Sequence, residues 1–219
     1  HADDPIEEIN RIHDRLIDGG RALMPLDEYP FSPRYAWIED RYGVSWQLFV
    51  PQPGAEPRPF LVPALLFCGP AQNQCEEALS TYVSLFEGAQ TAALVPYPEQ
   101  TGPASAGAVM FSETRLGPAT GNPTAEPWLT AMDSGADQPF TFSEGFSLMV
   151  RARDQAEIDR LWDTLSAVPQ KEACGWCCDA YGVSWQIVPE DIDRIMEAPG
   201  AHQRMLAMKK IDIAGLRGE

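Results

Sequence analysis

The sequence predicts an α+β fold assembled from tandem units with the order strand, helix, strand, strand, strand (βαβββ). The first observation behind this is a repeat. Tyr35-Ala-Trp-Ile-Glu-Asp-Arg-Tyr-Gly-Val-Ser-Trp-Gln-Leu-Phe-Val-Pro51 is rewritten downstream as Cys174-Gly-Trp-Cys-Cys-Asp-Ala-Tyr-Gly-Val-Ser-Trp-Gln-Ile-Val-Pro189. Trp37, Asp40, Tyr42, Gly43, Val44, Ser45, Trp46 and Gln47 return 139 residues later, without a gap, as Trp176, Asp179, Tyr181, Gly182, Val183, Ser184, Trp185 and Gln186. Self-similarity of this length marks a duplicated structural unit. The second observation is that an amphipathic helix precedes each copy. The third is that the intervening residues show the same order of signals more weakly.

The first helix follows Asp4, which can cap it, with Pro5 at its first position and Glu7 three residues after the cap. Ile9, Ile12 and Leu16 form its apolar face, and Gly19-Gly20 ends it. Strands are expected near 21–25, 34–39 and 44–50, with Asp40-Arg-Tyr-Gly43 as the turn between the last two. In the second copy Phe146–Arg151 reads as a strand ahead of the helix from Asp154 to about Ala167. That helix carries the cap pair Asp154 and Glu157 and the stripe Ile158, Leu161, Trp162 and Leu165. Alignment of the two helices places His13 on Trp162 and His1 where Arg151 stands. The first unit therefore reads as αβββ without its leading strand, and an unpaired strand edge calls for residues upstream or for another chain. The middle unit is strand 60–67, helix 74–87 burying Leu79, Tyr82, Val83 and Phe86, then strands near 91–96, 107–114 and 127–132. The expected layout is an incomplete module over 1–52, a linker over 53–59, complete modules over 60–137 and 138–190, and a tail over 191–219 with helices near 190–197 and 200–210.

Composition narrows the function classes. The chain has 219 residues, 44% of them hydrophobic, and 32 acidic against 16 basic side chains, a formal charge of -16. That charge opposes a nucleic-acid backbone or an anionic membrane surface as partner. No apolar run reaches the ~20 residues that span a bilayer, and no secretory signal pattern opens the sequence, so a cytoplasmic protein is expected. Five cysteines, Cys68, Cys75, Cys174, Cys177 and Cys178, suit free thiols better than a disulfide framework.

Tandem βαβββ units together with particular motifs resemble the vicinal oxygen chelate superfamily, which includes glyoxalase I, bleomycin-resistance proteins and extradiol dioxygenases. The motifs are Met24-Pro-Leu-Asp-Glu-Tyr-Pro-Phe-Ser32, Asp40-Arg-Tyr-Gly-Val-Ser-Trp-Gln47, Met132-Asp-Ser-Gly135, Phe140-Thr-Phe142, Cys174-Gly-Trp176 and Met208-Lys-Lys-Ile-Asp-Ile-Ala214. They are similar to the PhnB-like branch, often labelled as demethylubiquinone methyltransferase. The resemblance implies cup-shaped mixed sheets with the helices outside and a ligand site in the cup. Methyl transfer is not expected from the residues, because no strand, glycine-rich loop and helix arrangement is present to cradle a nucleoside cofactor.

In the metal-using relatives a glutamate on the last strand of a module binds the ion with a first-strand histidine. Here the matching positions are Gln47 and Gln186, amides that bring no charge, and the only histidines are His1, His13 and His202. No metal and no other cofactor is expected. Cys174-x-x-Cys177-Cys178 has a zinc-like spacing but no second pair, and strand alternation would place Cys174, Trp176 and Cys178 on one face and Cys177 on the other. Alternation also places Ser45 and Gln47 on the face opposite Trp46, and Ser184 and Gln186 opposite Trp185. The candidate ligand-binding residues are thus Gln47, Gln186, Ser45, Ser184, Trp37 and Trp176. The expected function is metal-independent binding of a small organic molecule, by a homodimer. The alternatives are a metal-dependent lyase or dioxygenase and a structural or regulatory dimer.

Overall fold

A computed structural model describes residues 4–219. The chain has two compact units, one running to Pro57 and the other spanning Arg58–Glu219. The first consists of α1 (Pro5–Leu16) and the antiparallel strands β1 (Arg21–Tyr29), β2 (Ser32–Glu39) and β3 (Ser45–Phe49), in the order β1-β2-β3. Asp4 caps α1 by accepting the N–H groups of Ile6 and Glu7, groups that the helix itself leaves without partners. Ile9, Ile12 and Leu16 turn onto Ala36, Ile38 and Leu48, with Trp46 on the same side. β1 is longer than the sequence signals and its register shifts between Met24 and Asp27, where Pro25 has no N–H for the ladder.

The second unit opens with β4 (Ala64–Phe67), α2 (Cys75–Leu85), β5 (Gln90–Pro96), β6 (Val109–Arg115) and β7 (Trp128–Asp133), in the sheet order β4-β7-β6-β5. β4 and β7 run parallel and the other pairs antiparallel, a complete βαβββ module. β4 is half its expected length: Phe60 and Leu61 lie in solvent, and Pro63 cannot donate to a ladder. α2 buries Cys75, Ala78, Leu79, Tyr82 and Leu85, so Leu85 rather than Val83 or Phe86 completes the buried stripe.

β8 (Ser147–Ala152), α3 (Gln155–Leu165), β9 (Trp176–Cys178) and β10 (Ser184–Pro189) follow, in the order β8-β10-β9 with β8 parallel to β10. Asp154 caps α3 by accepting from the N–H of Glu157, and Ile158, Leu161, Trp162 and Leu165 are its buried residues. Only two strands follow this helix where three are expected. Residues 166–175 instead contain a 3-10 turn beginning at Pro169, and Cys174 and Gly175 hold φ near 53° and 86°. The main-chain N–H groups of Cys174 and Gly175 donate to the carbonyls of Met208 and Lys209, so the tail takes hydrogen bonds that a further strand would have used. Cys174 therefore stands outside the strand alternation expected of it.

The tail forms α4 (Ile192–Met196), α5 (Ala201–Leu206) and α6 (Ile213–Arg217). The last helix has a readable sequence signature: Asp212 caps it through Ala214 N and Gly215 N, and Gly218 ends it in the left-handed region. One apolar core joins α2, α3, both sheets and the tail residues Ile192, Ile195, Ile211 and Leu216. No helix among the described residues is long and apolar enough to cross a membrane.

Candidate functional site

The repeated motif is first of all a turn. In the first copy Asp40 Oδ1 accepts the N–H groups of Tyr42 and Val44, both at 2.9 Å, and Oδ2 accepts the indole N–H of Trp46 at 3.0 Å. In the second, Asp179 Oδ1 accepts from Tyr181 and Val183 at 3.0 and 2.9 Å, and Oδ2 accepts the indole N–H of Trp185 at 2.9 Å. Gly43 and Gly182 carry φ of 82° and 96°, a conformation that other residues enter at a cost. Asp, Gly and Trp of each motif are thereby explained without a ligand. The indole bond holds the Asp40 carboxyl below its ordinary range, with the two backbone N–H groups adding to it and burial working against it.

The glutamines lie on the opposite sheet face. Gln47 pairs across strands with Trp37, and Gln186 pairs with Trp176, so the structure brings the same two residue types together twice. In the first unit Tyr35 OH donates to Gln47 Oε1 at 3.1 Å, and the indole of Trp37 donates to Ser45 Oγ at 2.7 Å. Tyr29, Phe31 and Tyr35 gather beside them, with ring centroids 5.0 to 5.5 Å apart. Burial, with Tyr29 nearby, pushes the Tyr35 phenol up to about 12, which keeps it a neutral donor. The position matching Tyr35 in the second unit is Cys174, so Gln186 has no equivalent phenol to engage it. Ser184 is buried, pairs across strands with Cys178, and lines a cavity of about 180 Å³ with Leu66, Phe140 and Phe142. Gln186 and Trp176 do not line that cavity. The two glutamine sets belong to different compact units.

The residues do not fit a divalent metal. Among those described, no three His, Cys, Asp or Glu side chains gather where they could hold an ion. His13 is half-buried beside Asp14, His202 is exposed, and His1 lies outside the described residues. Cys177 and Cys178 are buried, and burial pushes the Cys177 thiol up to about 12. The fit to a nucleoside cofactor is no better. The loop from β4 into α2 offers Gly69, but the helix start is filled by the protein's own carboxylate: Asp133 accepts from Cys75 N at 3.3 Å and from Val109 N at 2.9 Å. A phosphate or carboxylate group of a ligand would meet a like charge there. The start of α3 is likewise taken by Asp154 and Glu157.

Sequence reading missed two features. Tyr82 OH donates to Asp179 Oδ2 at 2.6 Å across the two modules of the second unit, a contact that no local pattern announces. Arg58 stacks its guanidinium 3.7 Å from the ring centre of Trp128, in a stretch that reads as a linker.

Fold and motif together define an α+β protein of tandem modules in the glyoxalase and bleomycin-resistance style. A family model described as 3-demethylubiquinone-9 3-methyltransferase matches residues 2–49 and 59–188, most of the chain. The chain belongs to that family, the PhnB-like branch. It is similar to the solved PhnB protein from Bacillus cereus, with 28% identity over 59% of this chain and 98% of that one and a TM-score of 0.45. Two further solved structures are each 23% identical over 62% of this chain. One, from Pseudomonas aeruginosa, covers 98% of that protein with a TM-score of 0.42. The other, from Staphylococcus aureus, covers 99% with a TM-score of 0.27. No curated protein matches the sequence.

Proposed function

We propose that the protein binds a small, neutral organic molecule without a metal, on the sheet face opposite the helix within each glutamine-bearing unit, with Gln47 as polar contact and Trp37 as apolar wall in the first and Gln186 and Trp176 in those roles in the second. The observation that carries this reading is the twofold occurrence of the Gln–Trp cross-strand pair on that face, at positions where the superfamily resemblance implies a glutamate in the metal-using members. An amide offers both a donor and an acceptor to a neutral partner, and an indole offers a flat surface at little entropic cost. Ser45 and Ser184 stand two residues before each glutamine and complete the polar set. The reading includes a homodimer in the cytoplasm, supported by five cysteines without disulfides and by apolar side chains left in solvent, among them Phe49 at 46% and Met149 at 55% exposure.

The test is a thermal-shift and calorimetric screen of neutral aromatic amides and ketones on protein stripped with EDTA. Binding that survives stripping and weakens roughly tenfold in Gln47→Ala or Gln186→Ala, the loss of about one hydrogen bond, is the expected result. Stoichiometric metal whose removal abolishes binding would overturn it. Light scattering is expected to return twice the 24.2 kDa chain mass.

A further inference from the structure

The middle module, β4 to β7, has no Gln–Trp pair on its sheet, and the corresponding face carries different chemistry. Leu129 and Ala131 of β7 join the core with α2, so strand alternation turns Trp128 and Thr130 to the other face. Across the ladder Arg115 stands opposite Trp128 and Glu113 opposite Thr130, which puts an indole and a carboxylate on one surface. That surface is occupied by the chain itself. Arg58 lays its guanidinium 3.7 Å from the ring centre of Trp128 and donates to Glu113 Oε2 at 3.1 Å. A flat cation on an indole, with a carboxylate accepting from its N–H groups, combines two strong modes of guanidinium recognition.

Three observations give this contact the character of a ligand in its site. Arg58 belongs to no regular element: residues 50–63 contain neither strand nor helix, and Phe60 and Leu61 are 80% and 67% exposed. Its withdrawal therefore breaks no ladder. Solvent also reaches the pair, since the Arg58 and Glu113 side chains are 21% and 29% exposed above a Trp128 that is 5% exposed. A competing molecule can approach from the same side. The third observation is charge. Arg115 is matched by Glu126 at 3.7 Å, and its N–H groups donate to the carbonyls of Gly117 and Gly88. Glu113 is thus left to another cation once Arg58 moves, on a chain whose formal charge of -16 draws cations towards it.

We infer that the Trp128 and Glu113 face of the middle module is a binding site for a planar organic cation of the guanidine or amidine class, and that Arg58 is its built-in competitor. The ligand takes the place of the Arg58 guanidinium on the indole and at the carboxylate. The site shares no residue with the glutamine faces, so the two readings stand or fall separately.

The experiment uses the full chain and two probes of one shape, benzylguanidine and benzylurea, the second planar but uncharged. Calorimetry follows their binding, and the Arg58 Nε–H resonance, assigned by its absence from Arg58→Ala, reports on the competitor. Benzylguanidine is expected to bind the wild type saturably and to move that resonance to the position of a solvent-exposed arginine. Arg58→Ala should bind it roughly tenfold more tightly, because no intramolecular rival has to be displaced. In the Arg58→Ala background, Glu113→Gln should weaken binding roughly tenfold, and benzylurea should bind roughly tenfold more weakly than benzylguanidine. Gln186→Ala should bind both probes as the wild type does. Equal affinity for the two probes, weakened binding in Gln186→Ala, or binding seen in Arg58→Ala and absent from the wild type up to the solubility limit would each overturn the inference. Should Arg58→Ala fail to fold, the wild-type titration decides, with Arg58→Lys supplying the assignment: displacement of the Arg58 resonance supports the site, and a resonance that stays in place overturns it.

Discussion

Asp40 and Asp179 sit in nearly identical turns, accept the same two backbone N–H groups and the same tryptophan indole, and are nevertheless unequal in what depends on them. Trp46 packs on the cluster that one helix covers, and both Asp40 and Trp46 are partly open to solvent. Asp179 is 3% exposed, Trp185 is 1% exposed, and Tyr82 of α2 reaches in to add a fourth hydrogen bond. Tyr82 also meets Trp185 edge to face at 5.0 Å, and Phe86 stands 6.4 Å from the same indole. One motif therefore works as a surface turn in the first unit and as the joint between two modules in the second. Local geometry comes from the sequence of the motif, whereas its energetic weight comes from what is packed on it.

The largest expected difference between the copies is in Asp179→Ala against Asp40→Ala. Removing Asp179 strands the buried indole of Trp185, the phenol of Tyr82 and two backbone donors away from water. With several donors each left unsatisfied, the loss should reach about 3 kcal/mol or more. Asp40→Ala exposes its donors to solvent that can replace the carboxylate, so its effect should be clearly smaller. Urea unfolding, followed by tryptophan fluorescence, measures both. Equal losses would mean that burial does not set the weight of the turn.

A smaller effect isolates the contact found only in the second copy. Tyr82→Phe keeps the ring against Trp185 and removes one hydrogen bond to a carboxylate, at a cost of about 1.5 to 3 kcal/mol. Burial and the neighbouring Asp179 carboxylate push the Tyr82 phenol strongly upward, so it stays a donor at any ordinary pH. In an Asp179→Ala background the same substitution should cost almost nothing, which a double-mutant cycle would show. Additive losses would separate the phenol from the aspartate.

How much was legible in the sequence divides along the same line. The helix caps at Asp4 and Asp154, the stripe Ile158, Leu161, Trp162 and Leu165, and the turn at Asp40-Arg-Tyr-Gly43 follow from short-range chemistry, and short-range chemistry is written in consecutive residues. The face opposite Trp46 and Trp185 was equally readable, because strand alternation has a period of two. The missing strand between α3 and β9 was not. Its hydrogen bonds go to Met208 and Lys209, more than thirty residues away in sequence, and the repeat argued for a strand that Pro169 and the left-handed Cys174 replace. Tyr82 was hidden for the same reason, because it matters through a partner on another module.

The smallest and most selective difference lies in acid. Because the Trp46 indole and two backbone N–H groups hold the Asp40 carboxyl below its ordinary range, the folded first unit binds its proton less readily than the unfolded chain does. The stabilisation is therefore complete above the ordinary carboxylate range and disappears as pH falls through the lowered folded value. Asp40→Asn keeps the size of the side chain and abolishes the titration. The gap in melting temperature between wild type and Asp40→Asn should be widest above about pH 5 and should close towards about pH 2. A gap that stays constant over that interval would mean that the first copy draws nothing from the charge of its aspartate, and that the turn there rests on glycine and main-chain geometry alone.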